Sequence, residues 1–413
     1  MNAASDQLTR LAARSLVAAI AELDDADTSL IGVELDVLDA QLESLRDAFP
    51  DSVRHSIAIK TMPHPKMLAH LIAGGFGLEA ASIEEVQLAL AAGVEPRDLI
   101  FDSPVKTRSE IAWCHANLPG ALLNANSIAE LDRYPDAPAF QVGLRINPEL
   151  TTGAPSEFDV SAERSKFGVP ISDRSSIVDA SIDAGVTALH MHIGSQVPTC
   201  DSHVEAVGRL LEIAREIDAA RAERHDDVRI STLDIGGGLR AEASGDQLMS
   251  LYGQRLQAEH AGLFDYDVRT EFGQWVHATA GWSATRIESI EERAVPMAFV
   301  HLGADYFMRD IYSAASRMDY GFAVVKADGR VVLPHTDEPT RTYDVVGPLC
   351  FAGDVLARDL ELPELDEGDW LVITGTGANT LGLWSRHCSR AVPQVRAFRA
   401  GKTAAWSQRY RPN

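Results

Sequence analysis

The sequence predicts an α/β protein in which an eight-stranded βα barrel precedes a mostly antiparallel β domain. Between residues 55 and 285, short apolar runs alternate with helical stretches of about 10 to 20 residues, which is the pattern of parallel βα units. No GxGxxG motif follows the first run, so the pattern favours a closed TIM-like barrel over an open dinucleotide-binding sheet. Beyond residue 285, extended runs follow one another with few helical patterns between them, which favours antiparallel pairing.

Three regions follow from this order of elements. Residues 1–50 are predicted to hold two helices and a strand and to join the β domain in part. Residues 51–285 are predicted to form the barrel, and residues 286–413 the C-terminal β domain. The predicted strands of the barrel are Ser56–Lys60, Phe76–Ala81, Leu99–Asp102, Ala121–Asn124, Phe140–Asn147, Ala188–Ile193, Thr232–Ile235 and Val268–Phe272. The predicted strands of the β domain are Ala298–Leu302, Gly321–Val325, Arg330–Leu333, Arg341–Val346 and Trp370–Thr374.

Composition and charge narrow the class of protein. A chain of 413 residues, 46% hydrophobic and 23% charged, is long enough for two domains with a large core. Charges at Asp6, Arg10 and Arg14 interrupt the N-terminal apolar stretch, and no run approaches the roughly 18 residues that span a bilayer. The four cysteines form no CxxC pair, which indicates a reducing compartment, so we expect a cytoplasmic protein. The formal charge of −23 disfavours binding to nucleic acid and to anionic membranes.

Polar side chains occupy the C-terminal ends of the predicted barrel strands, where barrel enzymes place their chemistry. Lys60 ends the first run, and a lysine at the inner end of an apolar strand is costly to bury unless it is paired or functional. A partly desolvated lysine can form a Schiff base with an aldehyde, whereas an isolated one can also extend its ammonium into water. The strand-end residues are Lys60, Glu79, Asp102, Asn124, Arg145, His192, Gly236 and Glu271.

Three successive glycines, Gly236, Gly237 and Gly238, follow the seventh predicted strand. Barrel phosphate sites are frequently built from the loops after strands seven and eight, where backbone N–H groups can approach phosphate oxygens. A tight turn is the alternative explanation for three glycines. Their position along the barrel favours the phosphate site.

His190 and His192 stand two residues apart at the end of the sixth predicted strand, so both side chains lie on one face. Such a pair can bind a metal, or one imidazole can lie against an aromatic cofactor. Glu271 could complete a metal shell, but Lys60 and Arg145 are unusual neighbours for a metal ion. We therefore predict a site without a metal.

Taken together, these motifs resemble those of the fold-type III pyridoxal-phosphate decarboxylases, the family of diaminopimelate and ornithine decarboxylases, which is related in barrel fold to alanine racemase. The resemblance runs from about Leu30 to Arg390. It implies pyridoxal 5′-phosphate as the cofactor, decarboxylation of an amino acid as the reaction, and a homodimer with shared active sites. The segments that carry it are IAIKTMPHP, GFGLEAAS, LRINPE, RSKFG, ALHMHIGSQ, GGG, EFGQ and VVGPLCFAGD.

The resemblance also implies roles for individual residues. Lys60 would be the Schiff-base lysine, His192 would stack on the pyridine ring, and Glu271 would keep the pyridine nitrogen protonated so that the ring can accept electrons. Cys350 of one subunit would reach the active site of the other and act there as an acid. The resemblance thus assigns catalysis to Lys60, His192 and Cys350, and cofactor binding to Lys60, Glu79, Arg145, His192, Ser195, Gly236, Gly237, Gly238, Glu271, Gly273, Gln274 and Asn379.

Several positions depart from the family pattern and concern the substrate. The EPGR motif has become EFGQ, so Gln274 replaces an arginine that normally contacts phosphate or a distal substrate carboxylate. Phe351 stands where the family has an acid that binds a distal substrate amine, and Asn379 stands where it has a tyrosine. Arg309 resembles an arginine that diaminopimelate decarboxylases use for the distal carboxylate, and Tyr312 lies near a substrate tyrosine. We therefore predict an altered distal pocket that includes Arg309, Tyr312 and Phe351, a modified or bulkier amino acid as substrate, and a role in specialised metabolism.

Two alternative functions remain open. The chain could be a non-catalytic regulatory relative, although such relatives typically lose cofactor contacts that Lys60, His192, Glu271 and Cys350 keep here. It could also be an amino-acid racemase that uses the same cofactor. Racemases need a base on the opposite ring face and often pair the pyridine nitrogen with arginine, so Glu271 disfavours that function.

Overall fold

The computed structural model describes residues 3–241, 247–312, 320–334 and 338–408, and it confirms both the barrel and the β domain. Its strands are β1 (Ser29–Glu34), β2 (Arg54–Ala58), β3 (Gly77–Ala80), β4 (Leu99–Phe101), β5 (Leu122–Ala125), β6 (Gln141–Asn147), β7 (Val169–Pro170), β8 (Ala188–His190), β9 (Thr232–Asp234), β10 (Asp267–Thr270), β11 (Gly281–Arg286), β12 (Ser289–Glu291), β13 (Met297–Phe299), β14 (Gly321–Val325), β15 (Val331–Val332), β16 (Thr340–Val346), β17 (Val355–Pro363), β18 (Trp370–Thr374), β19 (Gln394–Arg399) and β20 (Lys402–Ser407).

The α-helices differ widely in length, and most of those in the first two thirds of the chain alternate with strands. They are α1 (Ala3–Ile20), α2 (Leu35–Asp47), α3 (Pro65–Ala73), α4 (Ile83–Ala92), α5 (Arg108–Asn117), α6 (Ile128–Leu131), α7 (Arg174–Asp183), α8 (Asp201–Glu223), α9 (Gln247–Glu259), α10 (Gln274–His277) and α11 (Met308–Tyr312).

Strands β2 to β6 and β8 to β10 form one closed parallel barrel. Neighbouring strands follow the order β5-β4-β3-β2-β10-β9-β8-β6, and β5 also pairs with β6, which closes the ring. Every pairing in the ring is parallel, and the short strand β7 extends the sheet beside β6. Their side chains are mostly buried, as expected for parallel strands covered by helices. The eight strands overlap all eight predicted runs.

Local sequence signals fix the connections that follow the barrel strands. The prediction placed Lys60 within the strand. In the structure it lies just beyond β2, in a single 3-10 turn at Ile59–Thr61. The Ser82 side chain accepts a hydrogen bond from the Glu85 N–H and begins α4, which ends at Gly93 with a left-handed backbone of φ 99°. The connection after β3 is therefore short, and the last side chains of β3 lie at the mouth of the barrel.

The β domain contains a seven-stranded sheet and a four-stranded sheet. The larger sheet has the order β15-β14-β18-β11-β1-β19-β20, and the smaller one β12-β13-β16-β17. Among the described residues of these two sheets, only the β1–β19 and β13–β16 pairings are parallel. The apolar face of α1 packs with Trp282 and Phe398 into the core of this domain, and the Trp282 indole N–H donates to Glu34 Oε1 at 2.9 Å.

Five strands of the β domain, β11, β12, β17, β19 and β20, lie outside the predicted runs. β17 carries Arg358 and Glu361 among its apolar residues and lacks a regular alternation of buried and exposed positions. In β19, Arg396 is only 4% exposed, because its guanidinium forms a 2.5 Å ion pair with Glu22. Charged residues therefore conceal β17 and β19 in the sequence, and pairing with neighbouring strands decides their conformation.

Contacts divide the chain into two compact units. One unit is Glu43–Arg240 with Asp246–Trp275, and the other joins Met1–Leu42, Ala241–Gly245 and Val276–Asn413. The N-terminal strand β1 belongs to the large sheet of the second unit, whereas the division at residues 50 and 285 stays a prediction. Among the described residues, no helix combines the length and the hydropathy needed to cross a membrane.

Candidate active site

Lys60 forms an ion pair at the mouth of the barrel. Its Nζ donates a hydrogen bond of 2.5 Å to Oε2 of Glu79, which is the neighbouring acid on β3. The Glu79 side chain is fully buried, whereas 46% of the Lys60 side chain is exposed. Burial disfavours the charged ammonium and by itself would lower the pKa of Lys60. The nearby acids Glu79, Asp102 and Glu271 have the larger effect and raise this pKa. The lysine is therefore held among acids at the C-terminal ends of the barrel strands.

Asp102 adds a second carboxyl group immediately after β4. Its Oδ2 lies 3.8 Å from Nη1 of Arg145 and 4.0 Å from Nε2 of His190. The Arg145 guanidinium also covers the Phe167 ring at 4.5 Å. Burial by itself would raise the pKa of Asp102. The hydrogen bond with Glu79 and the nearby positive charges have the larger effect and hold this pKa well below its usual range. Arg145 is thus already paired with an acid of the protein.

Glu271, which follows β10, faces both histidines of β8 and its loop. Its Oε2 lies 3.4 Å from Nε2 of His190 and 3.9 Å from Nδ1 of His192. Burial and Asp102 raise the pKa of Glu271 to about 8, and burial lowers the pKa of His190 to about 4. Glu271 Oε1 and both ring nitrogens of His190 are buried and have no hydrogen-bond partner among the described residues. Glu271 therefore binds its proton more tightly than an exposed carboxyl group does, and it can share that proton with a basic nitrogen.

A metal ion is a less suitable occupant of this cluster. Asp102, His190 and Glu271 place one nitrogen or oxygen atom each within 4.8 Å of one another. However, Lys60 and Arg145 already supply two positive charges to the same carboxyl groups. We therefore interpret the cluster as an acid–base network.

The glycine loop after β9 is closely packed. Gly236 and Gly238 have positive φ angles of 65° and 109°, and a Cβ on Gly237 would lie 2.5 Å from the backbone oxygen of Glu271. Any side chain would therefore displace the backbone of its neighbours. The same close packing is what a loop needs when its N–H groups must approach a phosphate.

The three glycines, whose binding of phosphate stays a prediction, differ in the hydrogen bonds that their N–H groups make. The Gly236 N–H donates to Oδ1 of Asp234 at 3.0 Å, and the Gly237 N–H donates to Nδ1 of His192 at 3.2 Å. The Gly238 N–H makes no hydrogen bond with any residue that the structure describes. Gly238 is therefore the glycine whose N–H is available to a ligand.

His192 is held as a neutral ring. Because Nδ1 accepts the Gly237 N–H, the ring proton resides on Nε2. Burial, with Arg145 and Lys60, lowers the pKa of His192 well below its usual range. Its side chain is 21% exposed, so part of the ring remains accessible. A neutral, partly open imidazole can contact the face of an aromatic ligand.

Ser195 and Gln274 come together, as their assignment to one site requires. The Ser195 hydroxyl donates to Oε1 of Gln274 at 2.8 Å. Gly273 precedes Gln274 in the chain, and a Cβ on it would be 2.6 Å from Cγ2 of Thr61, next to Lys60. The EFGQ segment therefore packs directly on the turn that carries the lysine.

The β domain carries the remaining predicted residues. Cys350 is an exposed free cysteine in the loop between β16 and β17, and Phe351 beside it is 37% exposed. The buried Asp354 carboxylate holds this loop by accepting the N–H groups of Leu349 at 2.7 Å and Ala304 at 2.5 Å. The loop thus presents both side chains at the surface of its own unit.

Arg309 and Asn379 also lie in the β domain. Arg309 is part of α11, and burial lowers its pKa to about 10, so it stays charged at neutral pH. Asn379 follows β18 with a positive φ of 58°, which asparagine tolerates better than most residues. α11 ends at Tyr312, whose side chain lies outside the described part of the structure.

Sequence reasoning assigned three residues that the fold places around this site, Asp102, His190 and Asp234, neither to catalysis nor to cofactor binding. Asp234 is buried and receives the amide N–H of Asn124 at 3.5 Å as well as the Gly236 N–H. Asp102 and His190 stand at strand ends in the sequence, and that position was the available signal. Their mutual distances depend on the order of strands around the barrel.

Pyridoxal phosphate fits the donors and acceptors of the barrel site. Lys60 offers an amine, Glu271 has a buried oxygen without a partner, and the glycine loop excludes side chains beside an available N–H. The family model described as "Pyridoxal-dependent decarboxylase, pyridoxal binding domain" matches residues 35–271. The chain belongs to the pyridoxal-dependent decarboxylases. It is an amino-acid decarboxylase of the class that depends on pyridoxal phosphate.

Similarity to individual proteins supports this membership. The diaminopimelate decarboxylase of Deinococcus radiodurans is 30% identical over 369 residues, which cover 89% of each chain. The diaminopimelate decarboxylase of Methanothermobacter thermautotrophicus is 28% identical over 343 residues, which cover 79% of this decarboxylase and 76% of the relative.

Solved structures of decarboxylases share the fold. Diaminopimelate decarboxylase from Helicobacter pylori, complexed with L-lysine, matches with a TM-score of 0.81 at 23% identity and covers 92% of this chain and 94% of its own. Lysine/ornithine decarboxylase from Vibrio vulnificus, complexed with putrescine, matches with a TM-score of 0.77 at 21% identity and covers 94% and 98%. These matches confirm the barrel and the β domain.

Proposed function

We propose that this decarboxylase binds pyridoxal phosphate at Lys60 and removes the α-carboxylate of an amino acid whose distal end differs from those of diaminopimelate and ornithine. The observation that carries the cofactor site is the pairing of Lys60 with the buried Glu79 at 2.5 Å, at the same end of the barrel as the glycine loop and Glu271. Family membership supports the reaction, and the residues that replace family contacts support the altered substrate.

The residues around Lys60 would divide the binding of the cofactor among them. Pyridoxal phosphate, when bound, withdraws electrons from the amino acid's α-carbon so that carbon dioxide can leave. Glu271 would hold a proton for the pyridine nitrogen, and the neutral His192 ring would contact the face of the pyridine. The Ser195 hydroxyl and the Gly238 N–H would contribute to phosphate binding.

We further propose a homodimer in which Cys350 serves the active site of the partner subunit. The exposed thiol, on a loop fixed by Asp354, can be presented to a second subunit. There it would supply the proton that replaces the departing carboxylate. The four free cysteines also support our proposal of a cytoplasmic location.

The distal pocket sets the proposed substrate class. The neutral amide of Gln274 is hydrogen-bonded to Ser195 and provides no positive charge for a distal carboxylate. Phe351 provides no negative charge for a distal ammonium, and a buried ammonium without a partner costs several kcal/mol. Arg309 remains charged and could bind an anionic group. A modified or bulkier amino acid, anionic at its far end and handled in specialised metabolism, therefore suits these residues best.

Carbon dioxide release from a panel of amino acids tests this function. We expect turnover of a bulkier anionic amino acid to exceed that of meso-diaminopimelate and ornithine by at least about tenfold, or about 1.4 kcal/mol in transition-state binding. Lys60→Ala should abolish both the release and the visible absorbance of the bound cofactor. Preference for meso-diaminopimelate or ornithine would contradict the altered pocket. Product of inverted configuration without carbon dioxide release would instead indicate a racemase.

A further inference from the structure

Helix α8 reaches the glycine loop through His203, which lies in the first turn of that helix. Nε2 of His203 lies 3.0 Å from the backbone oxygen of Gly237. Because a carbonyl oxygen can only accept a hydrogen bond, the ring proton is on Nε2 and His203 is the donor. The side chain is 1% exposed, and burial lowers its pKa to about 4, so the ring is neutral at neutral pH. His203 therefore gives its one N–H to the loop.

The carbonyl groups of the three glycines are held in two different ways. The Gly236 oxygen accepts the Glu271 N–H at 2.7 Å, and the Gly238 oxygen accepts the Val197 N–H at 3.0 Å. Both donors are backbone groups, which every residue type except proline provides. The Gly237 oxygen accepts from a side chain instead. Its hydrogen bond therefore depends on the identity of that side chain in α8.

The Gly237 oxygen and the Gly238 N–H belong to the same peptide group. That peptide is planar and trans, so its oxygen and its N–H point in opposite directions. The Gly237 oxygen points to His203, whereas the Gly238 N–H has no hydrogen-bond partner among the described residues. A hydrogen bond at the oxygen fixes the orientation of the peptide plane and polarises the group, which makes the N–H a stronger donor. Glycine itself gives little resistance to rotation of this plane.

The packing of His203 fixes the direction in which its N–H points. The ring lies edge-on to that of Tyr252, with the centroids 5.5 Å apart and the planes at 63°. Tyr252 is fully buried on α9, and its own ring meets that of Phe272 at 6.4 Å. Two contributions of His203 can thus be separated. Phenylalanine can reproduce the ring contacts, but it cannot reproduce the N–H donor.

We propose that His203 is a positioning residue for the phosphate of the cofactor. Its Nε2–H holds the Gly237–Gly238 peptide so that the Gly238 N–H faces the phosphate group and donates to it strongly. His203 acts through the loop and not on the reacting atoms. The inference rests on the proposed function, in which the Gly238 N–H contributes to phosphate binding. Because the contribution passes through an N–H that meets the phosphate, it should be absent for a ligand that lacks this group.

Pyridoxal, which has the ring and the aldehyde of the cofactor but no phosphate, provides the test. In His203→Phe the ring contacts remain, but the N–H donor is lost. We expect the affinity of the apoprotein for pyridoxal phosphate to fall about tenfold, whereas its affinity for pyridoxal should change by less than about twofold. Absorbance titration measures both affinities. Unchanged affinity for pyridoxal phosphate, or an equal loss for the two ligands, overturns the proposal.

Two amides in place of the imidazole separate the donor from the packing. His203→Gln can place an amide N–H near the position of Nε2, so it should recover most of the lost affinity for pyridoxal phosphate. His203→Asn carries the same amide on a shorter side chain that matches only Nδ1, and it should lose about as much affinity as His203→Phe. This comparison decides the question if the phenylalanine variant fails to fold. Equal affinities in the glutamine and asparagine variants would contradict a donor at this position.

His55→Phe is the matched control. His55 is also buried and lies near the start of β2, where its ring contacts that of Phe49 at 5.4 Å. Its Nδ1 lies 2.8 Å from Oγ1 of Thr270, so the substitution again removes one hydrogen bond of a buried imidazole. It should reduce the free energy of unfolding but leave the ratio of the two affinities unchanged. A similar change of the ratio in this variant would show that the ratio reports stability, and it would overturn the proposal.

The wild-type protein distinguishes failure of this inference from failure of the proposed function. Wild-type apoprotein that binds pyridoxal phosphate no more tightly than pyridoxal would contradict the phosphate site itself, and the inference with it. A wild type that prefers pyridoxal phosphate, together with a His203→Phe variant that keeps the full preference, would overturn only the role of His203.

Discussion

Both the backbone conformation and the lack of space for a side chain require glycine at position 238. Its φ of 109° lies in a region that residues with a side chain rarely adopt, and a Cβ there would be 1.9 Å from the oxygen of Gly194. The contact joins the glycine loop to the loop after β8, which carries Ser195. Only glycine allows the two loops to approach so closely.

We expect Gly238→Ala to weaken both folding and cofactor binding. Backbone strain of about 1–3 kcal/mol should reduce the free energy of unfolding, and movement of the Gly238 N–H should lower affinity for pyridoxal phosphate at least about tenfold. Gly185→Ala is the matched control, because Gly185 also has a positive φ, 62°, but a Cβ there meets open space. Urea unfolding and cofactor titration would measure both. Equal affinity loss in the two variants would contradict a role for the close contact.

For individual residues, the sequence allowed the reactive groups to be predicted but not their charge states. Lys60 and Glu271 could be named because each ends an apolar strand. Asp102 could not be given a role, since its partners Glu79, Arg145 and His190 come from three other strands. The protonation of each acid depends on distances that no linear spacing encodes.

Among the structural elements, the connections after β4 and β5 are held together by one buried lysine. Lys106 Nζ donates to the backbone oxygens of Ser103 at 2.8 Å and Asn124 at 2.6 Å, and to Oε1 of Glu130 at 2.8 Å. Neither Lys106 nor Glu130 is appreciably exposed. Burial lowers the pKa of Lys106, although Glu130 opposes this effect. The ion pair therefore links the loop before α5, the end of β5 and helix α6.

Replacing this lysine should be much more damaging than replacing the whole pair. Lys106→Met leaves Glu130 buried without its cation, and we expect about 3–5 kcal/mol less free energy of unfolding. The double variant Lys106→Met, Glu130→Leu should recover most of this loss, because no uncompensated charge remains. Chemical denaturation of the wild type, the two single variants Lys106→Met and Glu130→Leu, and the double variant completes the cycle. A double variant no more stable than Lys106→Met would refute an electrostatic origin.

The barrel elements were easier to predict than those of the β domain. Parallel strands buried on both faces appear as continuous apolar runs, and each barrel run stood out between helices. β17, with its mixture of charged and apolar residues, gives no such signal. β17 takes its conformation by pairing with the preceding strand β16, and β19 pairs with β1, which lies far away in the chain.

For the whole molecule, the proposed homodimer makes each active site depend on two chains. Lys60→Ala and Cys350→Ala subunits, mixed under conditions of subunit exchange, should form mixed dimers with one intact site. Random mixing predicts about a quarter of wild-type activity, because half the dimers are mixed and each has one complete site. Decarboxylation assays on the mixture would measure it.

The control for this experiment mixes two variants that cannot complement each other. Lys60→Ala subunits mixed with subunits that carry both Lys60→Ala and Cys350→Ala should remain inactive. Native mass spectrometry would establish that the subunits exchange. Inactive mixtures of the two single variants, despite proven exchange, would show that the site is completed within one chain.

The sequence by itself determined the order of the barrel elements, the barrel and the residues at its strand ends, because hydrophobic pattern and residue type are local properties. Only the tertiary structure decided which of those residues lie next to one another, which glycine N–H remains available and how the β domain pairs its strands. The reason is that charge state and strand pairing depend on distances between segments far apart in the chain. Lys60 can be recognised in the sequence, whereas its pairing with Glu79 becomes apparent only when β2 and β3 lie side by side.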